Sequence, residues 1–398
     1  MPSSSEGLRR RWLTGDVWFI ASSAFFADLG YQAVLAVFPL FLVLSLHASV
    51  ALLGVAMALA YGPGALAGYV GGRLGDARGR RRVALWGNSL IPLLSLSGLV
   101  TSAWAAAGLL SVGWWARTFR SPPRRAMLTE AVSPEHRARA FGFLHALDVG
   151  GGALAALAAF VLVSAHVPYR AILLLTIMPL VLSTLALARV RVGRPGAKAA
   201  PAAAPTPESG AAPLPSIYRG VLLASALYGF ASYSAAFPIL TLAQGTRHPA
   251  LGVLGYLLLL LVSALTGLAM GRSRLKPLTA LPVLGYLVAA VGSVGLAVGS
   301  QLYVGTGVLL PSMAVLGFAL GVVETMEPTL IDKHTRTQHT SRGMGSLTAA
   351  RSVGLLVANL LLGLLYTLTP AASYGYAAAM AVAAALVLLL AGRRATRT

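Results

Sequence analysis

Gly72-Arg73-Leu74-Gly75-Asp76-Ala77-Arg78-Gly79-Arg80-Arg81-Arg82 holds five arginines and one acid in eleven residues, between apolar stretches at 50–72 and 83–103. Each flank has the ~20 residues that crossing a ~30 Å hydrocarbon core requires. A basic turn between two such stretches is held on one side of a bilayer. The segment therefore predicts two antiparallel membrane-spanning helices joined by a tight polar connection.

The pattern recurs along the chain. The 398 residues are 57% hydrophobic and 11% charged, with a mean hydropathy of +0.76; soluble domains carry roughly 25% charged residues. Further spans are predicted at 17–46, 105–121, 141–164 and 171–188, then at 218–243, 249–270, 278–299, 303–326, 343–367 and 371–391. With the first two they make twelve, an all-α membrane protein with both ends on one side. The run from Val17 to Leu46 follows a basic Met1 to Arg11 without a small-residue cleavage site, so it reads as a retained first helix.

The formal net charge of +20 does not read as a nucleic-acid surface, because the basic residues sit in short clusters between spans. There are no cysteines, and the seven histidines show no HExxH spacing, which excludes disulfides and thiolate metal sites and leaves no metal ligand set. No GxxxxGKS/T loop occurs, so ATP hydrolysis in this chain is excluded and no cofactor is implied. An intramembrane enzyme would need a convergent set such as two histidines with a carboxylate, and none is found, so the chain is not read as an enzyme.

The spans fall into two groups. Gly193 to Ser216 contains Pro195, Pro201, Pro205, Pro207, Pro213 and Pro215 among alanines, without apolar periodicity. It reads as a linker, 193–216, between bundles at 17–192 and 217–391, with tails at 1–16 and 392–398. Of 31 Lys and Arg, only Arg170 and Arg247 fall in loops assigned outside, leaving 31 − 2 = 29 in cytoplasmic segments or within helices. That asymmetry puts both termini in the cytoplasm of a multi-pass protein of the cell membrane.

The two groups read as repeats. Phe38-Pro39, Gly68 and Gly72 are matched by Phe237-Pro238, Gly267 and Gly271 at an offset of 199 residues. Arg139, Gly142, Leu144 and Gly151 are matched by Arg342, Gly345, Leu347 and Gly354 at an offset of 203. The order and near-constant offset support duplication.

In that setting Gly72 to Arg82 resembles the signature loop of the major facilitator superfamily: glycine at a helix end, an acid four residues on, a second glycine and a basic run. The resemblance implies two pseudo-symmetric six-helix bundles and secondary transport. It also implies that Asp76 locks the bundles together on the cytoplasmic side, against the start of helix 11 near Ser341 and Arg342. Gly72, Asp76, Gly79, Arg80 and Arg81 form this conformational gate, with the glycines allowing a turn at φ > 0. The position after the acid is usually basic but is Ala77 here, and the second-half counterpart, Gly271-Arg272-Ser273-Arg274-Leu275-Lys276, has no acid. A second block, Arg117 to Arg125 leading through Glu130 into Arg139 to Asp148, resembles the helix 4 to helix 5 region of prokaryotic exporters of that superfamily. Drug/proton antiporters there carry glycines followed by proline in helix 5; this chain has Gly150-Gly151-Gly152-Ala153 without the proline.

Ionisable groups at membrane depth cost roughly 2.5 kcal/mol or more on insertion scales. Asp28 lies 12 residues past Asp16, or about 18 Å at 1.5 Å per residue, near midplane. It is the first candidate for proton or substrate binding; the alternative is a structural carboxylate paired to an arginine. Asp148 shares a helix face with His145, three residues earlier, and the two together can relay protons. Alternatively, His145 makes a packing contact. At the duplicate of Asp148 stands Arg351, and at that of Arg124 stands Glu327.

Arg117 and Arg120, and likewise Glu324 and Glu327, are three apart on one face of helices 4 and 10. The superfamily lines its cavity with helices 1, 4, 7 and 10, which implies that the two pairs meet across the cytoplasmic half of the pathway. The alternative is snorkelling at the membrane surface. Pro122 and Pro123 are expected to break helix 4 just beyond. Tyr31, Gln32, Trp114, Trp115, Tyr228 and Tyr233 are candidate substrate contacts, equally consistent with packing.

The reading is a monomeric secondary-active transporter exporting a small organic molecule by alternating access, with protons as the coupling ion. A facilitator or symporter of the same fold, and a non-transporting membrane sensor, are the alternatives. Mixed acidic and basic groups leave the substrate's charge open.

Overall fold

The computed structural model describes residues 12–192, 216–302, 306–334 and 340–395. Twelve helical spans run antiparallel in sequence: α1 (Gly15–Ser45), α2 (Val50–Arg78), α3 (80–99), α4 (Ala103–Ala131), α5 (Arg137–Ser164) and α6 (Tyr169–Arg189), then α7 (216–246), α8 (Pro249–Arg272), α9 (Pro277–Gln301), α10 (Thr306–His334), α11 (Thr340–Leu368) and α12 (Pro370–Ala395). Ten contain stretches long and apolar enough to cross a membrane. The other two are α3, which begins on Arg80-Arg81-Arg82, and α4, which carries Arg117, Arg120, Arg124 and Arg125. Large apolar side chains such as Leu66 (70% exposed), Met178 (70%) and Leu368 (74%) cover the outside, as a lipid-facing surface requires. Residues 193–215 of the predicted linker, 1–11 of the first tail and 396–398 of the last lie outside the described residues.

Local chemistry sets the helix ends. Thr14, Ser49 and Ser102 cap α1, α2 and α4, each accepting a backbone N–H three residues on, at 3.3, 3.2 and 3.4 Å. Asp16 accepts the N–H groups of Arg191 and Val192, at 2.8 and 3.1 Å, tying the start of the first half to its end.

Two expectations are corrected here. The turn after α2 is one residue, Gly79 at φ 95°, because the helix runs through Gly72 and Gly75 to Arg78. Of those earlier glycines Gly75 serves close packing, since a Cβ there would lie 3.1 Å from Pro123 Cβ. Likewise Pro122 and Pro123 do not break α4, which continues to Ala131. Prolines at 122 and 123 remove the N–H donors that would have paired with the carbonyls of Thr118 and Phe119. Both carbonyls face the glycine edge of α2: a Cβ at Gly68 would lie 3.5 Å from Thr118 O, and one at Gly71 would fall on Phe119 O. The freed oxygens meet Cα–H groups across a glycine seam, so neighbouring helices absorb the defect.

Packing bears out the repeat. Gly151 of α5 lies against Phe25 and Asp28 of α1, and its match Gly354 of α11 lies against Gly229 and Phe230 of α7. The apolar cores are arranged unevenly about the membrane. On the side away from the chain ends one core joins both halves, packing Phe38, Phe41, Leu53 and Met57 with Ile239, Leu240, Val253 and Tyr256. Gly54 of α2 meets α11 so closely that a Cβ there would lie 2.7 Å from Gly363 Cα. Ser234 Oγ reaches Met57 Sδ at 3.2 Å across the same interface. On the side of the chain ends each half has its own core, Val17, Ile20, Met127 and Leu187 in one, Val221, Val322, Leu330 and Leu388 in the other. The halves are thus joined on one side and separate on the other.

Candidate functional site

Between the halves lies a cavity of about 450 Å³, lined from α1, α5, α8 and α10. Its residues stand between the middle of the molecule and the side of the chain ends: Asp28 is the fourteenth residue of α1, Gly267 and Leu268 approach the end of α8, and Glu324 stands ten residues before the end of α10. At the level of Gln32 the joined core closes it, with Tyr256 Oη donating to Gln32 Oε1 at 2.6 Å. Among the described residues, this cavity is lined from α5 and α8 beside α1 and α10, and α4 and α7, which the resemblance implies, contribute none of its lining. Arg117 and Arg120 of α4 and Tyr233 of α7 are engaged within their own halves.

Asp28 is 6% exposed. Its Oδ1 accepts from Tyr31 Oη, which accepts from Arg117 Nη2 at 2.9 Å. The Arg117 guanidinium lies 4.4 Å from the Tyr31 ring and 4.5 Å from Trp114, a doubly stacked position that suits a planar cation. Arg117 therefore reaches Asp28 through Tyr31 and does not pair with it directly.

The arginine and glutamate pairs do not meet across the pathway. Arg120, 2% exposed, bonds Asn88 of α3. Asn88 also donates to Ser183 and Thr184 of α6 at 3.1 and 2.8 Å. Glu327 is fully buried, accepting from Tyr286 Oη at 2.9 Å and pairing with Arg351 at 3.2 Å. Arg351 also holds Glu324 at 2.7 Å. Snorkelling is thereby excluded for Arg120 and Glu327. Each pair is engaged inside its own half, the arginines by the neutral Tyr31 and Asn88 and the glutamates by Arg351, because these partners stand on adjacent helices.

Asp148 and His145 both line the cavity. Asp148 Oδ2 lies 3.5 Å from Arg124 Nη2, a partner the expected helix break had hidden. Among the candidate contacts, Gln32 lines the cavity while Tyr31 stands behind Asp28. Trp114 packs edge-on to Tyr31 and Tyr61. Trp115 donates from Nε1 to Leu59 O at 2.7 Å, binding α4 to α2. Tyr228 stacks on Tyr286 at 4.5 Å, and Tyr233 bonds Ser293 at 3.0 Å. Trp114, Trp115, Tyr228 and Tyr233 are absent from the cavity lining and serve helix packing.

At the loop, Asp76 is 70% exposed and pairs with Arg80 at 3.1 Å. Arg80 also holds Glu130 of α4, so it is an ion-paired bridge and not a freely solvated charge. Arg81 donates to Ala188 O and Val190 O at 2.6 and 2.7 Å, capping the end of α6. A Cβ added at Gly72 would meet Pro122 Cβ at an ordinary 3.6 Å. Ser341 and Arg342 stand in the first turn of α11, and their side chains lie outside the described residues.

Sequence reasoning missed Asn88, Ser183, Tyr286 and Asn359. Asn359 Oδ1 accepts the Ser234 N–H at 3.0 Å, where α7 is interrupted. A buried asparagine in an apolar span is a detectable signal of such a role.

The family model of the Major Facilitator Superfamily matches residues 20–359. Among solved structures the chain is similar to a crystal structure of the peptide transporter POT, at 16% identity and TM-score 0.73, covering 96% of this chain and 95% of that one. It is similar to the inward-open xylose transporter XylE from E. coli, at 15% identity and TM-score 0.70, covering 93% and 94%. A structure of the nucleoside transporter NupG matches at 13% identity and TM-score 0.71, covering 95% and 99%. At these identities the likeness is one of fold. No curated relative matches the sequence.

Proposed function

The chain belongs to the Major Facilitator Superfamily, and on that premise we propose that it is a proton-coupled exporter of a small organic molecule, working by alternating access around the α1–α5–α8–α10 cavity. The observation that carries this reading is the carboxylate of Asp28, near midplane in a cavity between halves joined on one side only. Rocking the halves would open the joined side and close the other, presenting the same carboxylate to each face in turn. Asp148 and His145 on the adjoining α5 supply a second titratable pair.

We place both termini on the cytoplasmic side of the cell membrane, because only Arg170 and Arg247 of the 31 Lys and Arg fall in loops assigned outside, the rest lying in cytoplasmic segments or within helices. The described state is then inward-facing. Asp76 and its arginine neighbours form the gate that must reorganise as the cytoplasmic side closes, and one chain contains the complete pathway.

A thermal-shift screen of the full-length protein supplies the substrate, and proteoliposomes with imposed pH gradients of either sign test coupling and direction. Asp28→Asn is expected to exchange substrate at equal concentrations and to fail to accumulate it under a pH difference. Accumulation by a well-folded Asp28→Asn would move the proton to Asp148 and His145. A parent protein that equilibrates substrate without responding to pH in either direction would be a facilitator.

A further inference from the structure

We infer that the substrate of this cavity is an organic cation with an apolar body. The inference rests on reading the cavity as the transport site and adds the class of ligand. Among the described residues its ionisable lining consists of Asp28, Asp148, Glu324 and His145, with no arginine or lysine. Four arginines nearby are held elsewhere, and a fifth, Arg125, also lies outside the lining. Arg117 is stacked between Tyr31 and Trp114, Arg120 is held by Asn88, Arg124 stands behind Asp148, and Arg351 is held between Glu324 and Glu327.

Counting Glu327, four carboxylates stand among five arginines, and the charge is polarised in space. In the pairs Arg124–Asp148 and Arg351–Glu324 the acid lines the cavity and the arginine does not. Coulomb energy falls with distance, so a cation in the cavity gains more from the near acid than it loses to the arginine behind.

Acceptor atoms are also left over. Among the described residues Asp28, 6% exposed, has Oδ1 taken by Tyr31 and no donor on Oδ2. Asp148 has Oδ1 buried without a partner. An acid in the cavity wall with a carboxylate oxygen left without a donor can take one from the ligand, and an ammonium or guanidinium supplies it. The apolar wall at Leu260 and Leu268 and the volume of about 450 Å³ accommodate the remainder of such a molecule.

The chain has no cysteine, so Ser263→Cys, in the cavity wall, would be its one thiol. Reaction rates with trimethylammonioethyl and sulfonatoethyl methanethiosulfonate are compared at pH 8, to keep imidazole charge out of the comparison. Both are normalised to 2-mercaptoethanol, which cancels intrinsic reactivity. The expected ratio favours the cation by about tenfold or more and falls to within about threefold when Asp28→Asn and Glu324→Gln are added. Tetraphenylphosphonium is expected to protect the thiol more strongly than isosteric tetraphenylborate. A normalised ratio at or below one, or any outcome other than stronger protection by the phosphonium, overturns the cation class. Thr325→Cys, also in the wall, serves if Ser263→Cys does not fold. Cation-selective labelling and protection without transport of any organic cation would instead overturn the transport reading and leave the ligand class standing.

Discussion

Arg124 Nη2 lies 3.5 Å from Asp148 Oδ2, joining α4 to α5. The positions 203 residues further on hold the corresponding contact with the charges exchanged, Glu327 with Arg351 at 3.2 Å, joining α10 to α11. Duplication preserved a place for an ion pair and not the sign of either partner. A buried pair is tolerated only as a pair, so the exchange needs both changes together.

Exchanging the charges in the first half should therefore be tolerated as a double change. Arg124→Glu alone leaves two acids facing each other and is expected to cost about 3 kcal/mol of stability. Arg124→Glu with Asp148→Arg should recover most of it. Thermal unfolding of the three proteins in one detergent checks this, and a double variant no more stable than the single one would show that the contact contributes little.

The glycine seam separates two neighbours. Gly71→Ala places a methyl on the Phe119 carbonyl and is expected to reduce folded yield sharply, whereas at Gly72 the added carbon meets Pro122 at an ordinary 3.6 Å. Size-exclusion profiles of the two variants should differ; equal behaviour would mean that α2 and α4 separate easily.

Gly54→Val is expected to hold the joined side apart, because the added carbons would meet Asn359 O and Gly363 Cα, 2.6 and 2.7 Å from the new Cβ. With Met57→Cys, 1% exposed in the parent, an impermeant thiol reagent applied from the side away from the chain ends should label the variant faster by about tenfold, as a shift of 1.4 kcal/mol between two states predicts. No increase in labelling would place the hinge of the motion elsewhere.

Arg117→Lys keeps the charge and loses the planar stack on Tyr31 and Trp114. Transport is expected to fall about tenfold in a protein that still folds, since the lost contacts amount to roughly 1–2 kcal/mol. Arg117→Glu is expected to abolish transport. If Lys were indistinguishable from Arg in flux, only the charge at this position would count.

Membrane residence, twelve spans and the internal repeat were all legible in the chain itself. A bilayer demands ~20 apolar residues per crossing whatever the neighbouring helices do, and the placement of Lys and Arg is a local property of each connection. The depth of Asp28 followed for the same reason, since rise per residue is fixed in a helix. Which way a side chain is turned did not follow. Helices apolar all round carry no amphipathic stripe to distinguish cavity from lipid or from neighbour. Spacing alone put Arg117 and Arg120 on one face, yet Tyr31 takes one and Asn88 the other. Long cationic side chains are directed by whichever acceptor an adjacent helix offers. The run through Pro122 and Pro123 was likewise decided by α2, whose glycines bring a second backbone against the unpaired carbonyls. Where the charges are directed, and so what the cavity can hold, is set by contacts between helices distant in sequence, which the tertiary structure alone brings together.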